Sequence, residues 1–130
     1  MNQDDDVDLP YKLPARLINS GLLVGLENSG DMEAMGTRNL PFYAGTAAAY
    51  GVEKEKALQM ITLNTAKILG IDNEVGSIEK GKMATLFVSD GDALDMMTNQ
   101  IRMAFIDGKR LELTNHQMQL WKKYEAKYKK

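Results

Sequence analysis

The stretch Glu27-Asn28-Ser29-Gly30-Asp31-Met32-Glu33-Ala34-Met35-Gly36-Thr37-Arg38 gathers carboxylates, an amide, hydroxyls and a guanidinium into one polar segment. Arg38 and the adjacent Asn39 stand where they can face either a substrate carboxylate or a neighbouring loop. Glu27 and Asp31 carry negative charge early in the segment, and their plain reading is solvated loop charge, because the segment is polar and contains glycine throughout. Chemistry-bearing residues are scarce elsewhere. His116 is the single histidine and cysteine is absent, so the sequence has no thiol nucleophile, disulfide or thiolate metal site.

The polar segment leaves Leu22-Leu23-Val24-Gly25-Leu26, a continuous apolar run next to Gly21 that is expected as a parallel strand covered on both faces. A short helix before it is opened by Pro14 near its first turn and closed by Gly21. After the polar segment, Thr37 to Gly51 reads as a helix with its cap at or near Asn39, Pro41 in its first turn and Gly51 as its stop. Its small residues, Gly45 to Ala49, suit close approach to a neighbour. The next helical stretch opens with Glu53-Lys54-Glu55-Lys56, whose acidic members suit the positive helix N-terminus. Its apolar face of Leu58, Ile61, Ile68 and Leu69 is expected in the core. The pattern breaks at Thr62-Leu63-Asn64, where Asn64 can cap a second short helix that Gly70 closes in the left-handed conformation.

A turn at Glu79-Lys80-Gly81-Lys82 leads to a strand over Ala84–Val88. Ala93 to Gln100 reads as a helical or irregular link whose Leu94, Met96 and Met97 fill gaps in a core rather than bind metal, a thioether being a soft ligand without a suitable partner nearby. Ile101–Ile106 and Lys109–Leu113 flank Asp107-Gly108, a pair suited to the two left-handed positions of a type I′ hairpin turn. Thr114 and Gln117 have the spacing of a capping box. In the helix that follows, Leu120, Trp121, Tyr124 and Tyr128 form one stripe, with Lys122, Lys123, Lys127, Lys129 and Lys130 around it. This helix is expected to dock its stripe on the domain, with binding to a membrane or partner as the other reading; His116, at its start, is read as a surface residue.

Two of these segments form spaced words: A-L-x-x-x-T-x-N-x-A-x-x-L-G over Ala57–Gly70, then G-S-I-E-x-G-K-x-A-x-L-x-V over Gly76–Val88. In this order they resemble the closing segment of metal-dependent amidohydrolases of the imidazolonepropionase-like and dihydroorotase-like kind. R-N-L-P-F-x-A-G from Arg38 is a second point of resemblance to the imidazolonepropionase-like branch. The similarity extends from about Pro10 to about Leu113.

The resemblance implies an α/β to α+β fold, in part: the last strand and outer helices of a (β/α)8 barrel, then C-terminal strands of a small β-domain, ending in a helix. The layout expected is a mobile acidic tail at 1–8 and a barrel segment at 9–75, with strand 22–26 and helices at about 39–50 and 53–69. β-domain strands at 76–113, including the hairpin 101–113, and an amphipathic helix at 114–130 complete it. In such enzymes the strand corresponding to Leu22–Leu26 ends in an aspartate that binds metal and handles the proton of the attacking water. Ser29 falls at that position, and a hydroxyl is neither a strong base nor an anionic ligand. Glu27 or Asp31 can substitute only by a loop shift; Asn28, Ser29, Arg38 and Asn39 are the substrate-adjacent candidates. Zinc or another divalent metal is implied for the full-length family, which draws on an H-x-H pair, further histidines and an aspartate. His116 alone cannot build that centre, so no cofactor is expected in this chain.

Length and charge bound the remaining classes. A chain of 130 residues is one domain, too short for a complete eight-stranded barrel of about 250 residues. The net charge of −2 argues against a nucleic-acid partner, no run is apolar enough to cross a membrane, and the acidic start lacks a signal-peptide pattern. The cytoplasm is the default compartment. The expectation is therefore a C-terminal fragment of a hydrolase of non-peptide carbon–nitrogen bonds such as cyclic amides, inactive alone. Its small-molecule substrate would bind only in a parent that supplies the missing N-terminal part of the barrel. A free-standing interaction module is the alternative. Either version exposes apolar surface and edges, so self-association is expected.

Overall fold

The computed structural model describes residues 6–30 and 33–128. Helix α1 spans Leu9–Asn19 and begins ahead of Pro14, because Pro10 already occupies its first turn, where no intrahelical N–H is needed. Pro14 lies inside the helix rather than opening it. Gly21, with φ of +82°, ends it as expected. Of the acidic start, residues 1–5 lie outside the described residues. Asp6 is tied down by the ammonium of Lys12 at 2.6 Å, which holds its carboxyl below the usual range through that bond and the N–H of Asp8.

A 3-10 helix over Glu33–Asn39 leads into α2, Leu40–Ala49. Asn39 takes the capping position with Pro41 in the first turn, but its side chain makes no capping bond. Helices α3, Lys54–Met60, and α4, Leu63–Leu69, follow. Glu53 caps α3, its carboxylate accepting from the N–H groups of Glu55 and Lys56 at 3.0 and 3.2 Å. The break between the two helices falls at Ile61-Thr62, and the side chain of Asn64 does not cap α4; it is used elsewhere. Gly70 closes α4 with φ of +71°.

The core lies where α1, α2 and α3 meet: Ala44, Ala47, Val52, Ala57, Met60 and Leu94 are buried. The small residues of α2 let the chain approach closely, since a Cβ on Gly45 would overlap the carbonyl oxygen of Leu94. Leu58 and Ile61 pack against this cluster. Ile68 and Leu69, expected there too, are 55% and 65% exposed: they lie beyond the α3–α4 break, which turns α4 off the α3 face. Met96 and Met97 are also exposed; of the three, only Leu94 enters the core.

Strands β1, Leu86–Ser89, β2, Ile101–Ile106, and β3, Lys109–Arg110, form an antiparallel sheet in the order β1-β2-β3. Leu86 stands opposite Phe105 and Val88 opposite Met103, with an irregularity at Val88/Ser89. The Asp107-Gly108 turn has φ of +49° and +74°, as the sequence predicts. β3 is shorter than expected: only Leu111 extends the pairing, through its N–H to the carbonyl of Ala104 at 2.8 Å.

Leu22–Leu26 is not a strand. It has no ladder partner among the described residues, since pairing needs neighbours on its edges. The final helix, α5, spans His116–Tyr128. Asn115 rather than a Thr114/Gln117 box caps it, its Oδ1 accepting from the N–H of Met118 at 2.9 Å. Among the described residues no helix or strand packs against α5, and the expected docking of its stripe is not seen there. Among the described residues no helix is long and apolar enough to cross a membrane.

Candidate functional site

The extended segment before the polar loop is held by the α3–α4 junction in place of strand neighbours. The N–H of Leu26 donates to the carbonyl of Met60 at 2.9 Å, and the Asn64 amide donates to the carbonyl of Val24 at 3.0 Å. The Thr65 hydroxyl also donates to the Met60 carbonyl, at 2.8 Å. Gly25 lies between these bonds, where a Cβ would come within 3.0 Å of the Thr65 hydroxyl and 3.1 Å of Ile68 Cδ1. The helix break therefore supplies one acceptor, the Met60 carbonyl, and one donor, the Asn64 amide, that fix where the loop begins.

Beyond Leu26 the sequence candidates separate. The Ser29 hydroxyl donates to Glu27 Oε1 at 2.7 Å, and both side chains are exposed. Asn28 turns the other way: its Nδ2 is buried with no hydrogen-bond partner among the described residues. It lies against Gly36, where an added Cβ would be 2.6 Å from that nitrogen and 3.6 Å from the hydroxyl oxygen of Tyr43. Arg38 is exposed in the last turn of the 3-10 helix, and Asn39 is half-buried at the start of α2. Asp31 lies outside the described residues. The structure thus brings Asn28, Gly36 and Tyr43 together and pairs Ser29 with Glu27. Gly36 and Tyr43 are positioning residues that the sequence reading did not single out, and Asn64, expected as a helix cap, is a third. Tyr43 carried no local signal, being the second of two adjacent aromatics at the start of a helix whose remainder is small residues.

A divalent metal does not fit what is present. Among the described residues no three His, Cys, Asp or Glu side chains converge. The Ser29 hydroxyl is engaged as a donor to Glu27, and His116 is exposed at the start of α5. Zinc of this type needs three or four converging nitrogen, sulfur or carboxylate ligands.

Two further concavities adjoin helices α2 to α4 among the described residues. One, of about 570 Å³, lies between α2 and the turn at Asp92–Met96, with Lys54 Nζ and Asp92 Oδ2 2.5 Å apart at its edge. The other, of about 490 Å³, lies between the α3–α4 pair and β1. On its wall the Ser77 hydroxyl donates to Glu79 Oε1 and the Lys82 ammonium to Ser77, both at 2.5 Å. The Ser77 bond, and then Lys82, hold the Glu79 carboxyl below its ordinary range. A hydroxyl already donating to a carboxylate, with an ammonium at its lone pair, is a fastened turn rather than a nucleophile with a base.

Against known proteins, the amidohydrolase family model matches residues 18–111. The imidazolonepropionase of Thermoanaerobacter pseudethanolicus is 33% identical over 90 residues, which are 68% of this chain and 22% of that protein. The N-substituted formamide deformylase of Arthrobacter pascens is 40% identical over 62 residues, 44% of this chain and 11% of that one. The crystal structure of an amidohydrolase from Thermotoga maritima superposes with a TM-score of 0.69 at 34% identity, covering 78% of this chain and 26% of the other. The chain thus spans about a quarter or less of the relatives it matches. With the matched region running from the end of α1 through the hairpin, and a solved amidohydrolase repeating its fold, the chain belongs to the amidohydrolase family.

Proposed function

We propose that this chain is the C-terminal portion of a hydrolase of carbon–nitrogen bonds other than peptide bonds, with cyclic amides as the preferred substrate class. In this reading it positions the loop of residues 27–39 and contributes β-domain strands, but does not hold the metal. The observation that carries the reading is the tethering of Val24 and Leu26 to the α3–α4 junction, within a fold matched to the amidohydrolase family. Those bonds set the direction in which the loop departs. Asn28, Arg38 and Asn39 then serve as substrate-adjacent groups, and Glu27 orients Ser29. The metal, zinc or another divalent ion, and the proton-handling group belong to residues other than those described. The names of two relatives, an imidazolonepropionase and an N-substituted formamide deformylase, support the bond class.

Two measurements test this. The purified chain, loaded with zinc and desalted, is expected to retain much less than one equivalent and to hydrolyse neither imidazolonepropionate nor an N-substituted formamide. One retained equivalent, with turnover lost in Glu27→Gln, would overturn the reading. An immunoblot of the source cell with antibody against this chain is expected to show a polypeptide several times larger than 14.5 kDa. A band at that mass alone would replace the hydrolase by a binding role.

A further inference from the structure

At the exit of the tethered segment the charged side chain is exposed and the neutral one is turned in. Glu27 is exposed and holds the Ser29 hydroxyl, whereas the Asn28 amide nitrogen, Nδ2, is buried without a partner among the described residues. A donor taken out of water and given no acceptor destabilises the fold that keeps it, so such a group calls for a reason. Neighbours supplied by a longer polypeptide do not provide one. The atom is already covered by this chain, and an acceptor from elsewhere reaches it only after the side chain has moved.

The main chain just before Asn28 is fixed, because Val24 and Leu26 are held by the Asn64 amide and the Met60 carbonyl at 3.0 and 2.9 Å. The amide itself rests on Gly36, where a Cβ would stand 2.6 Å from Nδ2 and 3.6 Å from the Tyr43 hydroxyl oxygen. Gly36 does not adopt a positive φ. Backbone conformation therefore does not require glycine there; room for the amide does. The loop thus gives up a side chain at 36 and a hydrogen bond at 28 to store one carboxamide.

A carboxamide exchanges no proton near neutral pH and so is no general base. What it offers at Nδ2 is a pair of N–H donors. The acyl oxygen of an amide is a strong acceptor, and a site built to hydrogen-bond such a group rejects molecules that lack it. The Glu27 carboxylate one residue away opposes an anionic acceptor and leaves a neutral one unopposed.

We propose, resting on the hydrolase reading above, that Asn28 is the residue of this loop that recognises the substrate. On binding, its side chain leaves Gly36 and donates from Nδ2 to the acyl oxygen of a neutral amide. The stored position competes with this contact, so apparent affinity falls by the fraction of chains in which the amide is free.

Heteronuclear NMR of the isotope-labelled full chain, titrated with pyrrolidinone as a cyclic amide, reads the side-chain amides directly. The Asn28 signals are expected to move downfield and saturate, while those of Asn64, already donating to Val24, stay in place. Asn28→Ala is expected to weaken binding about tenfold or more. Gly36→Ala takes away the resting place and is expected to tighten binding severalfold, and both variants should keep the parent circular dichroism. Asn28 signals that do not move, or an affinity indifferent to Asn28→Ala, would overturn the proposal. Weaker or unchanged binding by Gly36→Ala would overturn the stored state. Saturation by sodium acetate but not by pyrrolidinone would overturn the choice of an acyl oxygen and assign the amide to a carboxylate. The titration needs neither metal nor turnover, so unmoved Asn28 signals would leave the hydrolase reading to its own tests. A source-cell band at 14.5 kDa alone would remove the hydrolase while leaving a measured amide contact intact.

Discussion

The side-chain amide of Asn64 donates to the main-chain carbonyl of Val24 at 3.0 Å, across forty positions of sequence. Together with the bond from Leu26 to Met60, it fixes an apolar segment that has no ladder of its own. Asn64→Ala removes the donor and is expected to cost about 1 kcal/mol, lowering the melting temperature by about 4 °C for a chain of this size. Asn64→Asp is expected to cost more, because it turns an acceptor toward a carbonyl. Thermal denaturation followed by circular dichroism checks both. If neither variant melts earlier than the parent chain, the tether does not hold the segment.

That tether also marks the limit of what the residues reveal locally. Asn64 before Ala66 and Ile68 has the composition of a helix cap, and local capping energetics favour that use. The nearby carbonyl of Val24 is a tertiary partner that no local pattern displays, so the amide is used there instead. The same limit explains Leu22–Leu26, whose apolar run matches a covered strand but whose pairing depends on neighbours absent from the described residues. By contrast, the Gly70 cap and the Asp107-Gly108 turn were legible, because φ above zero is a property of the residue itself. At the candidate site, the departure at Ser29 was visible from residue type alone. The meeting of Asn28 with Gly36 and Tyr43 was not, because it depends on how the 3-10 helix folds back over the loop. The aromatic stripe of α5 was also legible, whereas its exposure was not: periodicity defines a face without saying what covers it.

Two glycines separate the steric from the conformational role. At Gly45 an added methyl would overlap the carbonyl oxygen of Leu94, main chain that cannot swing aside. At Gly108 it would meet nothing within 4 Å, but φ is +74°. Gly45→Ala gains about 1 kcal/mol of helix propensity and loses about 1–3 kcal/mol to overpacking. The loss is expected at the upper end because the obstacle is backbone, giving net destabilisation and partial exposure of Leu94. Gly108→Ala is expected to cost about 1–2 kcal/mol from the left-handed conformation alone, without disturbing the core. Urea denaturation with near-ultraviolet circular dichroism distinguishes them. A Gly45→Ala chain more stable than the parent would show that the 93–95 turn does not rest on α2.

The pH dependence of stability is expected to carry a contribution from Asp92. Its carboxylate meets the ammonium of Lys54 at 2.5 Å and accepts from the N–H of Leu94 at 3.0 Å. It thereby fastens the start of α3 to the turn that inserts Leu94 into the core. The Lys54 bond first, and the Leu94 N–H second, hold the Asp92 carboxyl below its ordinary range. A carboxylate depressed on folding adds stability that is present above its unfolded value and lost as pH falls through its folded value. Lys54 shifts the opposite way, raised chiefly by its bond to Asp92, so its contribution is present below its unfolded value and lost as pH rises through the folded one. Asp92→Asn is therefore expected to be less stable than the parent chain at neutral pH. That difference should shrink as the solution is acidified past the ordinary carboxylate range and the parent's own acid becomes neutral. Lys54→Met retains the Leu94 bond, so its acid transition should lie between those of the parent and Asp92→Asn. Urea midpoints for all three chains, measured from neutral to strongly acidic pH, provide the comparison. If the parent and Asp92→Asn midpoints fall in parallel throughout, the carboxylate is not linked to folding and the turn is held by Leu94 alone.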